Sequence, residues 1–235
     1  MNKILELSMI VPNMHLIKIE APDIAKKVKP GQFVIVRPDE DGERIPLSVA
    51  DWDQDTGSIT IIFMEVGAST SRLASLKAGD YVATCVGPLG NATEIKHYGT
   101  VMCVAGCYGI GSIFPVARAL KKEGNRIFTT IEARSSYLIY WLDRFVGLSE
   151  KIFTITRDGS SGYKGHVKRL LDVIHSLSQP PDIIIVNGCT YLMAQTSNIT
   201  KELNIPTIVN LNPIMIDGTG MCGVCRVTVA GKMKF

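Results

Sequence analysis

No stretch of this sequence is apolar over anything near the ~20 residues that a membrane-spanning helix needs. The opening segment, MNKILELSMIVPNMHLIKIEAP, carries acids and a proline early and has no small-residue cleavage site. No secretory leader is expected, and the predicted location is the cytoplasm. An excess of one charge is missing as well. Lys and Arg number 25 against 22 Asp and Glu, a net charge of +3. No basic run is interleaved with aromatics, so nucleic acid is not expected as a partner. Internal repeats and low-complexity tracts are absent too. With 46% hydrophobic and 20% charged residues over 235 positions, the chain reads as folded, with room for two modest domains. The six cysteines, in a cytoplasmic chain, read as thiols or ligands rather than disulfides.

Residues 1–97 read as β structure. Strand-length apolar runs (ILELSMIV, HLIKIEA, QFVIVRP, PLSVADW, SITIIFMEV, YVATCVG) alternate with turn signals such as KPGQ, DQDTG and KAGD. That spacing predicts a small barrel or sandwich. One helix, STSRLASL, is expected there with Ser69 or Thr70 as N-cap. Residues 98–211 change to alternating strands and helices: VMCVA, SIFPVARALKKE, RIFTTIEA, SYLIYWLDRF, KIFTIT, HVKRLLDVIHSL, DIIIVNG, YLMAQTSNITKEL and PTIVNL. Strict alternation predicts an α/β doubly wound parallel sheet, which binds ligands beyond the carboxyl ends of its strands. Residues 212–235 form a glycine-rich tail ending in the strand-like CRVTVAGKMKF.

Four constellations could carry chemistry. The first is Gly106-Cys107-Tyr108-Gly109-Ile110-Gly111, between strand VMCVA and a helix. Backbone amides and the helix dipole there would face a pyrophosphate. Its G-x-x-G-x-G order differs from the usual dinucleotide fingerprint, and a bare strand-to-helix turn is the competing reading. The second lies at later strand ends: Glu132 as acceptor for a ribose hydroxyl, Arg134-Ser135-Ser136 as a seat for a 2′-phosphate, and Asn187-Gly188-Cys189. NAD and NADP both remain open. The third comprises Arg44-Ile45-Pro46-Leu47-Ser48, Gly67-Ala68-Ser69-Thr70 and Gly87-Pro88-Leu89-Gly90, an arginine and a helix start that suit anions. The fourth is MIDGTGMCGVC, with Asp217-x4-Cys222-x2-Cys225. This is the plant-type [2Fe-2S] spacing with aspartate in the first position. Chance pairing and half a zinc site are the alternatives. Zinc would need two more ligands, and His15, His97, His166 and His175 all lie far off in sequence.

RIPLSVAD, VGAST, GPLG, the glycine loop before SIFPVARAL, TRDGSSGYKG, NGCTYLM and DGTGMCGVCRVTV, in this order, resemble the ferredoxin–NADP reductase superfamily. Within it the chain is similar to the electron-transfer flavoprotein subunits. These include the electron-transfer subunit of dihydroorotate dehydrogenase and the small (alpha) subunit of NADH-dependent ferredoxin:NADP oxidoreductase, or sulfide dehydrogenase. Aspartate at the first tail position favours the latter branch. The resemblance covers essentially the whole chain. It implies an FAD-binding barrel over 1–97, with Arg44, Pro46, Leu47 and Ser48 in the flavin motif and Gly67, Ser69 and Thr70 near the phosphates. It implies an NAD(P)-binding domain over 98–211, with NAD(H) or NADP(H) at Gly106, Gly109 and Gly111, Arg134 nearby, and Gly188 and Met193 near the nicotinamide. It implies a tail over 212–235 holding [2Fe-2S] through Asp217, Cys222, Cys225 and one more cysteine. Three departures stand out. Arg44 and Ser48 are one residue further apart than in the family motif R-x-Y-S; Cys107 and Tyr108 stand in a loop that is usually plainer, and Cys189 stands where proline is common. No cysteine follows Cys225, and the expectation is a truncated tail.

The expected function is an electron relay between NAD(P)H, FAD and the cluster, needing no side chain as general acid or base. A cluster at the chain end predicts an interface with a larger catalytic subunit, with ferredoxin as a further candidate partner. The alternatives are a standalone NAD(P)H-dependent flavin or ferredoxin reductase and a nucleotide-sensing module with a zinc tail.

Overall fold

The computed structural model describes residues 1–229 and 231–234. Its internal contacts divide the chain into two units: Met1–Thr93 with Asn212–Phe235, and Glu94–Leu211. The first unit holds strands β1 (Asn2–Val11), β2 (Met14–Glu20), β3 (Phe33–Arg37), β4 (Ile45–Asp53), β5 (Ser58–Met64), β6 (Tyr81–Val82) and β7 (Thr84–Leu89). Helix α1 (Pro22–Ala25) follows β2, and α2 (Ala68–Ser75) follows β5. The strands form one antiparallel sheet in the order β6-β1-β2-β5-β4-β3-β7. Alternation places Ile17 and Ile19 of β2, Val34 and Val36 of β3, and Ile59, Ile61 and Phe63 of β5 on one face. These join Ile4, Val49, Leu73 and Val82 in a single buried cluster. A flat sheet of this width could not bring all of them together, so the sheet curls around its core. Bulges in β1 and in β4, where register slips between Val49 and Asp51, supply the bends.

The second unit holds β8 (Thr100–Gly106), β9 (Arg126–Ala133), β10 (Lys151–Thr156), β11 (Tyr163–Lys164), β12 (Ile183–Asn187) and β13 (Thr207–Val209). Helices α3 (Gly109–Lys122), α4 (Leu142–Val146), α5 (Leu170–His175) and α6 (Thr190–Glu202) lie between the strands. All strands are parallel, in the order β11-β10-β9-β8-β12-β13. Every residue of β8 from Val101 to Gly106 is buried, as a parallel strand covered on both faces requires. Chain order turns back between β8 and β12, which makes that junction the topological switch point. A short hairpin, β14 (Val227–Val229) with β15 (Lys232–Lys234), completes the described chain.

Several expected elements shift. SYLIYWLDRF is not one helix: a 3-10 turn covers Ser136–Leu138 and α4 begins only at Leu142. Trp141 sits at φ +58°, which ends any continuous helix. Tertiary bonds outweigh local preference there, because the neighbouring Tyr140 is buried to hold the glycine loop. HVKRLLDVIHSL likewise splits into a 3-10 turn and α5. The cap of α2 is Gly67, not Ser69 or Thr70. Thr70 stands three residues into the helix, and its Oγ1 accepts the Val66 and Gly67 amides at 2.9 and 3.0 Å, the reach-back half of a capping box. The strand-like tail CRVTVAGKMKF is a hairpin; its Ala230 and Phe235 lie outside the described residues.

Candidate functional site

The first candidate site is the switch point. Ala105 of β8 pairs with Asn187 of β12, and the chains beyond them remain in contact. A Cβ on Gly109 would collide with the Asn187 carbonyl oxygen and lie 2.7 Å from the Gly188 nitrogen. A Cβ on Gly106 would come within 3.0 Å of the Glu132 carbonyl oxygen. Gly188, at φ +155°, would place one 2.7 Å from Leu192 and 3.0 Å from the Gly106 oxygen. These glycines let two strand ends and the first turn of α3 touch, and they leave an edge of bare backbone. Gly111 serves differently. Its amide donates to Tyr140 Oη at 3.1 Å, and that hydroxyl donates to the Cys107 carbonyl at 2.9 Å. Tyr108 Oη donates to the Gly188 carbonyl at 3.0 Å. Burial raises the Tyr140 hydroxyl well above its ordinary range. Two tyrosines therefore clamp the loop, and nothing in the spacing of the sequence announces either. Met193, expected near a nicotinamide, is buried in the core with Leu192 and Ile205.

Beside the switch point, β9 ends at Glu132 and Ala133. Glu132 is 6% exposed, and its Oε1 lies 3.5 Å from Arg157 Nε. That oxygen has no hydrogen-bond partner among the described residues, which suits an acceptor awaiting a donor. Arg134 is exposed at the same edge. Ser135 and Ser136 are engaged by the next loop: Ser135 Oγ lies 3.2 Å from Ser160 Oγ, which accepts the Ser136 amide at 2.8 Å. Asp158 accepts from the Ser160 amide and hydroxyl. Hydrogen bonds, that from Ser135 foremost, hold its carboxyl down at about 2. A seat for a 2′-phosphate built from both serines would have to displace this network.

The flavin-motif residues lie in the first unit. Arg44 is exposed immediately before β4. Along β4, Pro46 and Ser48 share one face while Leu47 points the other way and packs on the core. Ser69 donates to Glu43 Oε2 at 3.3 Å, which ties the start of α2 to the segment carrying Arg44. A Cβ on Gly67 would meet nothing within 4 Å, so the backbone at this helix start stands open. The Thr70 hydroxyl is already engaged by the Val66 and Gly67 amides. Gly90, at φ +78°, lies against the Phe33 ring.

In the tail, Gly218 packs on Ile35 and Leu89 at φ +72°. Asp217 Oδ1 accepts the Thr219 amide and Oδ2 the Cys222 amide, both at 2.9 Å. These amides, that of Thr219 foremost, lower its carboxyl below the usual carboxylate range. Cys222 is exposed and Cys225 half-buried. Among the described residues no three His, Cys, Asp or Glu side chains form a metal-holding group. The donor types match an iron–sulfur loop, but both Asp217 oxygens face backbone rather than the thiols. No helix is long and apolar enough to cross a membrane among the described residues.

No protein-family model matches the chain. It is 41% identical over 235 residues to a Thermotoga maritima protein described as a dihydroorotate dehydrogenase B (NAD(+)), electron transfer subunit homolog, spanning 100% of this chain and 83% of the relative. A solved NADH-dependent reduced ferredoxin-NADP oxidoreductase, from work on flavin-based electron bifurcation, aligns at TM-score 0.94 and 40% identity, over 100% of this chain and 84% of that one. A ferredoxin NADP+ reductase from Neisseria gonorrhoeae, with FAD and NADP bound, aligns at TM-score 0.70 and 14% identity, over 89% of this chain and 98% of that one. The last is a likeness of fold: a curled antiparallel sheet followed by a parallel sheet, as in the ferredoxin–NADP reductases. Within that fold, the chain belongs to the family of electron-transfer subunits of dihydroorotate dehydrogenase B and their homologues.

Proposed function

We propose that this subunit relays electrons between NAD(P)H, FAD and a [2Fe-2S] cluster, and onward to a larger catalytic subunit in the cytoplasm, with ferredoxin as a further exchange partner. The observation that carries the reading is the switch-point edge, where Gly106, Gly109 and Gly188 leave bare backbone at the mouth of a parallel sheet. When bound, the nicotinamide supplies a hydride, a flavin divides the pair, and a cluster takes electrons singly.

The chain's own part is placement. In the nucleotide domain, 98–211, the backbone at Gly106, Gly109 and Gly188 admits a dinucleotide closely, and Arg134 and Glu132 meet its ribose. Tyr140 and Tyr108 hold that edge rigid, so the bound ring is presented in one pose. In the flavin domain, 1–97, Arg44, Pro46 and Ser48 on one strand face, with Gly67 and Ser69 at the start of α2, hold FAD. In the tail, 212–235, Asp217, Cys222 and Cys225 are the cluster donors, supported by their spacing and by glycines that open the backbone. Each Asp217 oxygen keeps a second lone pair for ligation while it accepts its backbone amide.

Protein purified without oxygen tests the whole reading by its visible spectrum, with iron and acid-labile sulfide assayed together. Flavin bands with about two irons and two sulfides per chain are expected for one such cluster. Flavin without iron would instead fit a standalone NAD(P)H-dependent reductase, and no colour would overturn the assignment.

A further inference from the structure

Cys107 and Cys189 occupy matching positions on neighbouring strand ends. Each stands two residues past the last paired residues, Ala105 of β8 and Asn187 of β12. Adjacent parallel strands run about 4.8 Å apart, within the Cα separation of about 4.4–6.8 Å that a disulfide spans. The intervening backbones have not diverged. Gly188 touches the Gly106 oxygen, Gly109 packs on Asn187, and Tyr108 Oη reaches the Gly188 carbonyl. Both residues are exposed, and neither is in a disulfide.

Their surroundings differ in a useful way. Cys189 is the N-cap of the 13-residue α6, exposed at the start of that helix. Cys107, at φ +56°, has its thiol raised, first by partial burial and further by the charges of Cys189 and Glu132. The raised Cys107 thiol makes Cys107 the resolving sulfur and leaves Cys189 as the attacking one. The remaining thiols of the two units are unlike this pair. Burial pushes Cys85 and Cys103 up to about 12, and Cys222 and Cys225 belong to the tail.

We propose that Cys107 and Cys189 form a redox-active dithiol at the switch point, which a peroxide closes to an intramolecular disulfide. The Cys189 sulfur attacks one peroxide oxygen. The S–O bond forms, the O–O bond breaks, and the first water leaves carrying the Cys189 proton, giving a sulfenic acid. The Cys107 sulfur then attacks the Cys189 sulfur. The S–S bond forms, the S–O bond breaks, and the second water carries off the Cys107 proton. Two thiols lose one electron each, and the peroxide gains both. The closed bridge lies across the bare-backbone edge, so a dinucleotide seated there shields the dithiol. The shielding, unlike the dithiol itself, rests on the nucleotide reading above.

The test uses the full chain and hydrogen peroxide, followed by alkylation and non-reducing tryptic mapping. Trypsin releases Cys107 in peptide 97–118 and Cys189 in peptide 170–201. The expected product joins these two peptides through Cys107 and Cys189 and disappears on reduction. Cys107→Ser should instead accumulate a Cys189 sulfenic acid that dimedone traps, while Cys189→Ser should leave Cys107 reduced. Oxidation of both cysteines in the wild type without a joined peptide would overturn the proposal, and so would a bridge to Cys103. NADH at ten times its dissociation constant should slow bridging about tenfold, because only the unliganded fraction reacts. A bridge that forms at the same rate with NADH would refute the nucleotide edge and leave the dithiol standing.

Discussion

The two glycine-rich loops of this protein use the same residue for opposite purposes. In 106–111 and at Gly188, glycine is forced by neighbours: added carbons would strike Asn187, Glu132 or Leu192. The buried Tyr140 and the half-buried Tyr108 then lock the loop. At Gly220, within 217–225, glycine serves conformation. Gly220 stands at φ +87° with nothing within 4 Å of where a Cβ would stand, and Met221 beside it is 86% exposed. A glycine motif in a sequence does not say which case applies. Only the packing does, and it separates an edge where backbones meet closely from a loop with open space beside it.

Substitutions should break this comparison unequally. Gly109→Ala forces a carbon into the Asn187 backbone and should cost about 1–3 kcal/mol or more in denaturant unfolding. Tyr140→Phe leaves the Cys107 carbonyl and the Gly111 amide without their shared partner, an expected loss of about 1–3 kcal/mol. It should also weaken dinucleotide binding, read by titration. Gly220→Ala meets open space and pays only for its left-handed backbone, about 1–2 kcal/mol locally, with global stability nearly unchanged. Equal effects at Gly109 and Gly220 would dissolve the distinction between the loops.

Acid and alkali should sharpen it. The folded carboxyl of Asp217 lies below its ordinary 3.8. Its contribution is present above that value and is lost as pH falls below it, through the folded value. Amide exchange at Thr219 and Cys222 should accelerate there, and Asp217→Asn should remove that pH dependence. The Tyr140 hydroxyl lies above its ordinary 10.0, so its contribution is present below 10.0 and is lost as pH rises toward the folded value. The tail loop is thus expected to loosen in acid and the switch-point loop in alkali.

Much of the architecture is legible in the sequence. RIFTTIEA and KIFTIT are β9 and β10 residue for residue, because β-branched runs bounded by turn residues leave little choice. Where SYLIYWLDRF fails as a helix, the reason is Tyr140, whose partners lie in a loop some thirty residues earlier. No local pattern encodes such a bond. Leu47 and Met193 fit their motifs but pack into cores. Alternation along β4 could have revealed the first; burial of one face of α6 decides the second. The pairing of Cys107 with Cys189 depends on strand order, which the chain states only once folded.

The central claim is that hydride taken up at the switch-point edge reaches a flavin held by the same chain. Anaerobic titration of the flavin-loaded protein with NADH, and separately NADPH, followed by the flavin absorbance band, tests it most directly. Bleaching that completes near one dinucleotide per flavin is the predicted result, since each hydride carries the two electrons a flavin accepts. A protein that binds flavin yet keeps its full absorbance with excess of both dinucleotides would contradict the account.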